Sequence, residues 1–480
     1  MFWGGASRRP VRRWCSSVRR GSQITADQLD ERFFDLDNPL LFRVLIMNVE
    51  KVRCFIPVGG QAERLRPLTR DIAKPCIRFL NRPLIEFSMA TLAEQGIRNF
   101  IFGEYGFTNY SNLFDQFGEG VGFSAKYDIK PRVHIKHQPN FDDLGSADSY
   151  RLNMQYYDVK DPVLVVQGDN LFGIDLNDFM SAHEKNGALM TIALTRVNKV
   201  LEFGIADLDK DLKIRKFVEK PSAETAPSNL ANAGIYILSP EVRSIAESEE
   251  VRSIIEQRHR LDFGFDFIPY LVDKGFPVFG YELKVWYDVG NPERYLAAMV
   301  DVLHGKLNIR IREERILADR NVWVQGYSEE SIRRREEIIR NHKKGKLQLD
   351  GAALIGRHTR IGDFSRLSDS NVDNFCTLGD HVIVERTALM DAVKVGDYAR
   401  VSDSIVGRKT VIESTRKEPT KIELTSVIGN AAHILAGCTL IGTRVNPGLT
   451  IPKGMTYIDK FLQSYEDVVR LSTNISNQPM

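Results

Sequence analysis

The chain has 480 residues, 43% of them hydrophobic and 27% charged, which is the composition of a globular protein large enough for two or three domains. Its 65 basic and 63 acidic residues leave a net charge of +2, which excludes a general electrostatic attraction to nucleic acid or to a membrane surface. No apolar run reaches the roughly 20 residues that a membrane-spanning helix needs. The five cysteines form no CxxC pair and no metal-ligand spacing, which favours a reducing, cytoplasmic compartment without structural zinc.

Residues 1–46 differ in composition from the rest of the chain. The stretch MFWGGASRRPVRRWCSSVRRGS contains six arginines, and no acidic residue occurs before Asp27. This composition resembles an organellar transit peptide. Met47, however, opens MNVEKVRCFIPVGG, a natural start for a domain that begins with a strand, so a disordered basic extension or a start codon assigned too far upstream explains the stretch as well.

The first buried strand is predicted at VRCFIPV, and the loop after it is the first candidate site. Residues 57–75, PVGGQAERLRPLTRDIAKP, place Gly59 and Gly60 directly behind the strand and positive charge at Arg64 and Lys74. A glycine pair lets backbone N–H groups approach a ligand, and such a loop suits an anion, most simply a polyphosphate. A structural turn with solvated cations explains this stretch equally well when it is taken alone. It fits neither the Walker pattern nor GxGxxG.

From Val52 to about residue 305, strand-like apolar runs alternate with helical stretches, which predicts an α/β domain over 47–305 with a mainly parallel, Rossmann-like sheet. The first unit is a βαβ crossover built from VRCFIPV, PLIEFSMATLAEQG and RNFIFGEY. Ligands of such sheets bind beyond the carboxyl ends of the strands, which is where the glycine loop lies. Further strands are predicted at 132–137, 163–167, 188–194 and 232–238, and helices at 145–157 and 176–185.

The second half of the chain differs from the first in its charge distribution and in the spacing of its hydrophobic residues. Residues 306–350 are predicted to be a linker, in which the charge run EESIRRREEIIRNHKKGK indicates a solvated helix. Beyond Gly351, aliphatic residues recur at hexapeptide spacing, for example in LIGRHTRIGDFSRL and VIGNAAHILAGCTLIGTRV. This period predicts a β-helix over 351–455, interrupted by a loop at 412–420 and followed by a tail at 456–480.

Two aspartates at predicted strand ends are candidate metal ligands. Asp169 follows the strand VLVVQ in the turn GDN, and Asp288 lies in WYDVGNPERY, just before a predicted helix. Carboxylates beside a phosphate-binding loop are hard oxygen ligands of the kind that Mg²⁺ prefers, with substrate phosphates and water completing the coordination. Either aspartate taken alone is more readily explained as a turn former or a helix cap.

Taken together, the motifs GGxxxRLxPLTxxxxKP, QGDN, FVEKP, NAGIYIL and WYDVGNPERY occur in this order over about residues 52–300. In this combination they resemble the sugar-phosphate nucleotidylyltransferases, most of all the long glucose-1-phosphate thymidylyl- and uridylyltransferases with a C-terminal hexapeptide-repeat domain. The resemblance implies an α/β nucleotidyltransferase domain followed by a left-handed β-helix. It also implies an enzyme that transfers a nucleotidyl group from an NTP to a sugar 1-phosphate and releases pyrophosphate.

The resemblance further implies roles for the charged residues. Arg64 is expected to hold the triphosphate and stabilise the leaving pyrophosphate, and Lys74 to contact the phosphates near the α-phosphorus. Asp169 and Asp288 are expected to share a Mg²⁺ that bridges the two substrates. Positioning and electrostatic stabilisation suffice for such an in-line attack, because it needs neither a covalent intermediate nor a strong general base.

On the nucleotide side, Gly59 and Gly60 are expected to let the backbone reach the nucleotide. Gln138 matches the glutamine that reads the base edge, and Gly145 matches the glycine beneath the base. The spacing between these two residues is two longer than in the usual QxxxxG pattern. Val58 stands where the family more often has a small Ala, a change expected to crowd the base.

On the sugar side, Glu219 and Lys220 of the VEKP motif are expected to hold the sugar hydroxyls and the sugar phosphate. Gly204, in FGIADLD, and Asn232, in NAGIYIL, are expected to complete this side of the site. Without the other motifs, VEKP would be interpreted as the exposed end of an edge strand.

The GDN turn favours glucose 1-phosphate with dTTP or UTP as substrates, whereas DFGFDFIPYLV at 262–272 resembles the adenylyl-transferring group. Guanylyl or adenylyl transfer to mannose or glucose 1-phosphate is therefore an alternative. A non-catalytic regulatory subunit is another, although the intact set of Arg64, Lys74 and the two aspartates argues against it. A third is a bifunctional enzyme whose β-helix transfers an acyl group, for which bases are available at His358, His381 and His433. The β-helix is more readily interpreted as support for a homo-oligomer.

Overall fold

The computed structural model describes residues 48–473, apart from residues 61, 141, 143, 310, 312 and 313. The predictions made for residues 1–46, and for the end of the C-terminal tail, lie outside the described residues. Within the described part, no helix combines the length and the apolar character needed to cross a membrane.

The first part of the structure is an α/β domain, and the strands and helices predicted from the hydrophobic period are present with ends shifted by a few residues. Its strands are β1 (Arg53–Val58), β2 (Arg78–Phe79), β3 (Arg82–Pro83), β4 (Asn99–Tyr105), β5 (His134–Asn140), β6 (Val163–Val166), β7 (Asn170–Gly173), β8 (Met190–Arg196), β9 (Gly204–Leu208), β10 (Ile214–Glu219), β11 (Leu230–Leu238), β12 (Val278–Glu282) and β13 (Val285–Asp288). Its helices are α1 (Leu84–Glu94), α2 (Phe107–Phe117), α3 (Val121–Tyr127), α4 (Ser146–Tyr156), α5 (Leu176–Lys185), α6 (Glu241–Ala246), α7 (Glu249–Arg258), α8 (Ile268–Asp273) and α9 (Pro292–Leu303), with a π-helical turn at Phe263–Phe267.

The main sheet is mixed, with strand order β10-β9-β11-β6-β1-β4-β5, and β8 pairs with β11 and β12 beside this path. β1 lies in the parallel part, between β4 and β6. Its residues Cys54, Phe55 and Ile56 are fully buried, because helices cover both faces of the sheet, which explains the continuous apolar run. The carboxyl ends of β1, β4 and β6 therefore meet at one edge, and the loops that follow them form the site described below.

The second part is a parallel β-helix with three faces. Its coils are formed by β16 (Leu347–Ile355), β17 (Arg360–Ile361), β18 (Ser365–Val372), β19 (Thr377–Leu378), β20 (Ile383–Glu385), β21 (Ala388–Leu389), β22 (Lys394–Val395), β23 (Arg400–Ser402), β24 (Ile405–Val406), β25 (Val411–Ile412), β26 (Lys421–Glu423), β27 (Val427–Ile428), β28 (His433–Ile434), β29 (Thr439–Ile441), β30 (Arg444–Val445), β31 (Thr450–Ile451), β32 (Thr456–Ile458) and β33 (Phe461–Leu462). Before them lie β14 (Glu314–Arg315), β15 (Val322–Val324) and α10 (Glu329–Lys343), and after them α11 (Tyr465–Thr473).

The hexapeptide period is explained by columns of buried side chains in register from coil to coil. One column consists of Leu367, Val384, Val401, Ile422, Leu440 and Tyr457, each of them at most 1% exposed. Ile422 follows Val401 at a longer interval than Val401 follows Val384, because the predicted loop at 412–420 leaves the coil at this point. This architecture is consistent with the left-handed β-helix that the family resemblance implies.

Helix α10 is less solvated than its charge run suggested. Ile338 is only 5% exposed and belongs to the hydrophobic core of the β-helix, and Ser331 is buried as well. The three isoleucines of this helix do not form a stripe of helical period, so the sequence alone could not predict which of them is buried.

The two parts share one hydrophobic cluster and one buried ion pair. Phe79 and Tyr295 of the α/β domain pack in the same cluster as Leu354 and Ile405 of the β-helix. Beside this cluster, the Arg78 guanidinium donates two hydrogen bonds to the carboxylate of Asp373, whose side chain is fully buried. Arg78 lies on β2, in the segment that begins with Lys74. The β-helix is therefore attached directly to one of the predicted phosphate-binding segments.

Replacing Arg78 by Met should lower the free energy of unfolding by about 3–5 kcal/mol, because it leaves the Asp373 carboxylate buried without its ion-pair partner. Chemical denaturation of the purified protein measures this change. The matched control is Arg366→Met, which removes a 2.9 Å ion pair to Asp350 in which both side chains are more than 40% exposed. That change should cost less than about 1 kcal/mol. Equal losses for the two variants would contradict the assigned importance of the Arg78–Asp373 pair.

Candidate active site

A cavity of about 510 Å³ opens at the edge of the sheet where β1, β4 and β6 end. The sequence predicted six of its lining residues: Val58, Gly59, Gly60, Lys74, Gly145 and Asp169. Beyond these, it is lined by side chains that include Tyr105, Ser146, Ser149, Gln167 and Asp262. The parallel arrangement of the strands brings these loops together, although they are far apart in the sequence.

Lys74 and Asp169 form an ion pair at the wall of this cavity. The Lys74 ammonium lies 2.5 Å from Asp169 Oδ2, and the two side chains are 13% and 28% exposed. Lys74 is placed by the short 3₁₀ turn Lys74–Cys76, and Asp169 by the turn between β6 and β7. A cation and a carboxylate expected to act on phosphates and on a metal ion are thus held next to each other.

Asp288 is the last residue of β13 and lies opposite Asn170 of β7, the residue that follows Asp169. The two predicted metal ligands therefore stand on adjacent strand ends. Asp288 is 11% exposed and forms an ion pair with Arg294, on the first turn of α9.

Arg64 reaches the same region from the loop after β1. A Cβ atom added to Gly290 would lie 2.7 Å from Asp288 Oδ1 and 3.1 Å from Arg64 Nη2, so these two side chains flank the same glycine. Arg64 itself donates to Glu202 Oε2 at 2.5 Å, and its side chain is 58% exposed. The four predicted catalytic residues are thus close together, but each is paired with a charged side chain of the protein.

The donor set fits a divalent metal that is completed by substrate. Asp169 and Asp288 offer hard oxygen ligands on neighbouring strand ends. Among the described residues, however, no group of three or more His, Cys, Asp or Glu side chains could hold a metal ion. Two carboxylates alone suit Mg²⁺, which usually keeps several waters and binds substrate phosphates.

Of the residues predicted for the nucleotide side, Gly145 lines the cavity and Gln138 does not. Gly145 precedes α4 with φ +136°, and a Cβ added there would lie 2.8 Å from the Leu261 carbonyl oxygen, so only glycine fits this turn. Gln138 accepts a hydrogen bond from the Tyr157 hydroxyl at 3.2 Å and lines a separate cavity. Asn140, at the end of β5, lines that separate cavity as well and donates to Ser149 Oγ at 2.9 Å, and Ser149 lines the main cavity.

On the sugar side, Glu219 and Gly204 are paired across β10 and β9, as their proposed common role requires. Glu219 Oε2 would lie 2.5 Å from a Cβ added to Gly264, on the π-helical turn that follows Asp262. Burial raises the pKa of Glu219 to about 7, the negative charge of Asp262 adds to this increase, and Lys220 opposes it. The Glu219 carboxyl therefore titrates well above the usual range of a glutamate.

Lys220 and Asn232 do not line the cavity. The Lys220 ammonium lies 5.1 Å from the centre of the Phe265 ring. Asn232 is half-buried, where it donates to the Tyr236 hydroxyl at 2.8 Å and accepts from the Gly234 N–H at 2.9 Å. Lys220 directly follows Glu219 at the end of β10, and Asn232 is the third residue of β11.

Sequence reasoning missed three charged residues of this region, and two of them contact predicted residues. Glu202 binds Arg64, Arg294 binds Asp288, and Asp262 accepts a hydrogen bond from Ser146 Oγ at 2.6 Å. Arg294 and Asp262 lie inside quoted motifs, WYDVGNPERY and DFGFDFIPYLV, so a closer inspection of those motifs could have found them. Glu202 carries no motif signal.

Comparison with known proteins places the site in a family context. Residues 55–305 match the family model described as nucleotidyl transferase, and residues 345–458 match the model of the GMPPB C-terminal domain. The chain is 26% identical to a UTP–glucose-1-phosphate uridylyltransferase of Synechocystis sp., over 76% of this chain and 89% of the relative. It is 30% identical to a glucose-1-phosphate adenylyltransferase of Halalkalibacterium halodurans, over 51% of this chain and 65% of the relative.

A mannose-1-phosphate guanyltransferase of Debaryomyces hansenii is 26% identical, over 73% of this chain and 97% of the relative. Among solved structures, a putative glucose-1-phosphate thymidylyltransferase from Bacillus anthracis, crystallised with a sucrose, matches with a TM-score of 0.45 and 21% identity. That match covers 54% of this chain and 97% of the other. Because the nucleotidyl transferase model spans just over half of the 480 residues, the chain belongs to the nucleotidyl transferase family.

Proposed function

We propose that the chain transfers a nucleotidyl group from an NTP to a sugar 1-phosphate, giving an NDP-sugar and pyrophosphate. The observation that carries the proposal is the cavity where the backbone of Gly59 and Gly60 meets the ion pair of Lys74 and Asp169. Backbone N–H groups and a nearby cation suit a polyphosphate. The named relatives transfer uridylyl, adenylyl or guanylyl groups to sugar 1-phosphates, which supports the same reaction class.

In this reaction an oxygen of the sugar phosphate attacks the α-phosphorus of the NTP in line. The bond from the α-phosphorus to the bridging oxygen breaks, and pyrophosphate leaves with the electron pair. The protein's task is to bring two polyanions together and to neutralise charge on the leaving group. Lys74, beside Asp169 at the cavity wall, is suited to the phosphates near the α-phosphorus, and the more exposed Arg64 to the leaving pyrophosphate.

Asp169 and Asp288 would hold the divalent metal that enzymes of this family generally use, most simply Mg²⁺. When bound, the metal supplies charge neutralisation between the two phosphate groups. In its absence, Lys74 and Arg294 compensate the two carboxylates.

Glucose 1-phosphate with dTTP or UTP is our first choice of substrates, on the basis of the GDN turn at Asp169 and the glucose-1-phosphate uridylyltransferase among the relatives. Adenylyl transfer to glucose 1-phosphate is the second candidate. It is favoured by the DFGFDF motif, whose Asp262 lines the cavity, and by the adenylyltransferases among the relatives. A panel of nucleotides and sugars separates the two.

Purified protein with Mg²⁺ and a panel of NTPs and sugar 1-phosphates should release pyrophosphate with at least one pair of substrates. Asp169→Asn should lower this turnover at least about 100-fold, because it removes the negative charge that is proposed to hold the metal beside the phosphates. The melting temperature should stay nearly unchanged, since Asp169 is 28% exposed.

The control variant is Asp115→Asn, on the exposed surface of α2, which should keep full activity. If the folded wild type releases no pyrophosphate with any pair, the proposed function is wrong. If Asp169→Asn unfolds the protein, Asp169 has a structural role instead.

The pKa of Glu219 predicts a pH dependence on the sugar side. The ionised carboxylate accepts hydrogen bonds from sugar hydroxyls and the protonated form accepts fewer, so the KM for the sugar 1-phosphate should fall as the pH rises through about 7. Glu219→Gln should remove this fall, while any dependence caused by the substrate's own phosphate remains in both proteins. The exposed Glu224→Gln serves as the control and should keep the wild-type profile.

The raised pKa of Glu219 also predicts how the free energy of unfolding depends on pH. Because the folded pKa is raised from 4.5 to about 7, the unfolded state loses its proton first, and stability is lost as the pH rises from about 4.5 to 7. The free energy of unfolding of the wild type, relative to Glu219→Gln, should fall by about 2–3 kcal/mol over this interval. Denaturation at pH 5 and pH 8 measures it, and a constant difference would contradict the raised pKa.

A further inference from the structure

Four charged side chains from four separate segments form one network beside the cavity. Glu202 Oε2 lies 2.5 Å from Arg64 Nη1, and Glu202 Oε1 lies 2.6 Å from Arg294 Nη2. Arg294 also pairs through Nη1 with Asp288. Each oxygen of the Glu202 carboxylate is thus bound by a different arginine, and the two arginines stand on either side of it.

Asp288 and Arg294 are six residues apart across the link from β13 to α9, whereas both contacts of Glu202 join segments that are far apart in the sequence. Arg64 follows β1, Glu202 lies in the short connection between β8 and β9, and Arg294 is on the first turn of α9. Asp288 ends β13. The network therefore exists because the fold brings these segments to the site, at the position where Arg64 is expected to meet the triphosphate.

A carboxylate with one guanidinium on each oxygen has the geometry of a phosphoryl group held by two arginines. Arginine provides five donors, so Arg294 can keep its contact with Asp288 and still donate to another anion. Its guanidinium also lies 5.2 Å from the centre of the Phe203 ring, and Phe203 packs edge-on against Trp286 at 5.6 Å. This packing holds Arg294 in place independently of Glu202.

The bond between Glu202 and the arginines is of a kind that substrate can break. The side chains of Arg64 and Glu202 are 58% and 34% exposed, and ion pairs in such contact with water are weak. A triphosphate carries several negative charges and can engage both arginines at once. The polyanion therefore wins the competition with a single carboxylate.

We propose that Arg294 is a second arginine for the triphosphate, acting beside Arg64, and that Glu202 occupies the place of the phosphate oxygens until the NTP binds. This inference rests on the proposed function and assigns two residues to it that the motifs did not. It makes Glu202 an internal competitor of the NTP and of pyrophosphate.

The test compares Glu202→Gln, Arg294→Lys and Arg294→Met with the wild type. Binding of inorganic pyrophosphate is measured by titration calorimetry, and KM values are measured with the NTP that the wild type uses best. Glu202→Gln keeps the shape of the side chain and removes the competing charge, so it should bind pyrophosphate about 3–10-fold more tightly. Arg294→Met should bind it about 10–100-fold more weakly, and Arg294→Lys, which keeps the charge beside Asp288, by an intermediate factor.

Two further readouts separate a phosphate-binding role from a merely structural one. At saturating NTP, the KM for the sugar 1-phosphate should stay within about twofold of the wild-type value in the Arg294 variants. Glu202→Gln should tighten pyrophosphate binding by a smaller factor when Arg294 is already replaced by Met, because part of its effect on binding acts through Arg294. The matched control is Glu282→Gln, which removes a carboxylate from an exposed ion pair with Arg196 and should leave pyrophosphate binding unchanged.

The inference is wrong, and the proposed function stands, in either of two cases. In the first, Glu202→Gln binds pyrophosphate no more tightly than Glu282→Gln does. In the second, the wild type turns over and both Arg294 variants keep its KM for the NTP. If the folded wild type neither turns over nor binds pyrophosphate, the inference and the proposed function are both wrong.

Discussion

The positive side chains at the carboxyl ends of the strands must each be paired with a negative one, and the rest of this site depends on that constraint. A cleft that receives two polyanions has to hold cations ready, and uncompensated cations would repel one another there. In this protein Lys74 is compensated by Asp169, and Arg64 by Glu202. Under the proposed function, these carboxylates hold the cations in position until phosphates take their place.

The β-helix takes part in this arrangement although it lies outside the cavity. Arg78 follows Lys74 in the same segment, and its contact with the buried Asp373 fixes that segment to the second part of the structure. The shared cluster around Phe79 and Tyr295 supports the same contact with apolar packing. The position of Lys74 thus depends on both parts of the chain, which gives the β-helix a structural role at the cavity.

Most of the fold could be predicted from the sequence because its strands and coils follow short, regular patterns of hydrophobic residues. The continuous apolar run of β1 and the hexapeptide columns of the β-helix report burial directly, and the edge at which Asp169 lies follows from parallel strand order. What the sequence could not supply depends on long-range register. Gln138 lies on the edge strand β5 and lines a separate cavity, and Glu202 reaches Arg64 only through the fold.

The placement of Gln138 changes how the base can be selected. Ser146 and Ser149, which line the cavity, carry hydroxyls, and these both donate and accept and therefore discriminate poorly between a carbonyl and an amino group. The shape of the cavity is then a further means of selecting a base. Val58 is 3% exposed and, with Tyr105, forms an apolar wall of the cavity. Under the proposed function, a valine in place of a smaller residue would crowd the base, which agrees with the proposed choice of a pyrimidine nucleotide over the larger purine.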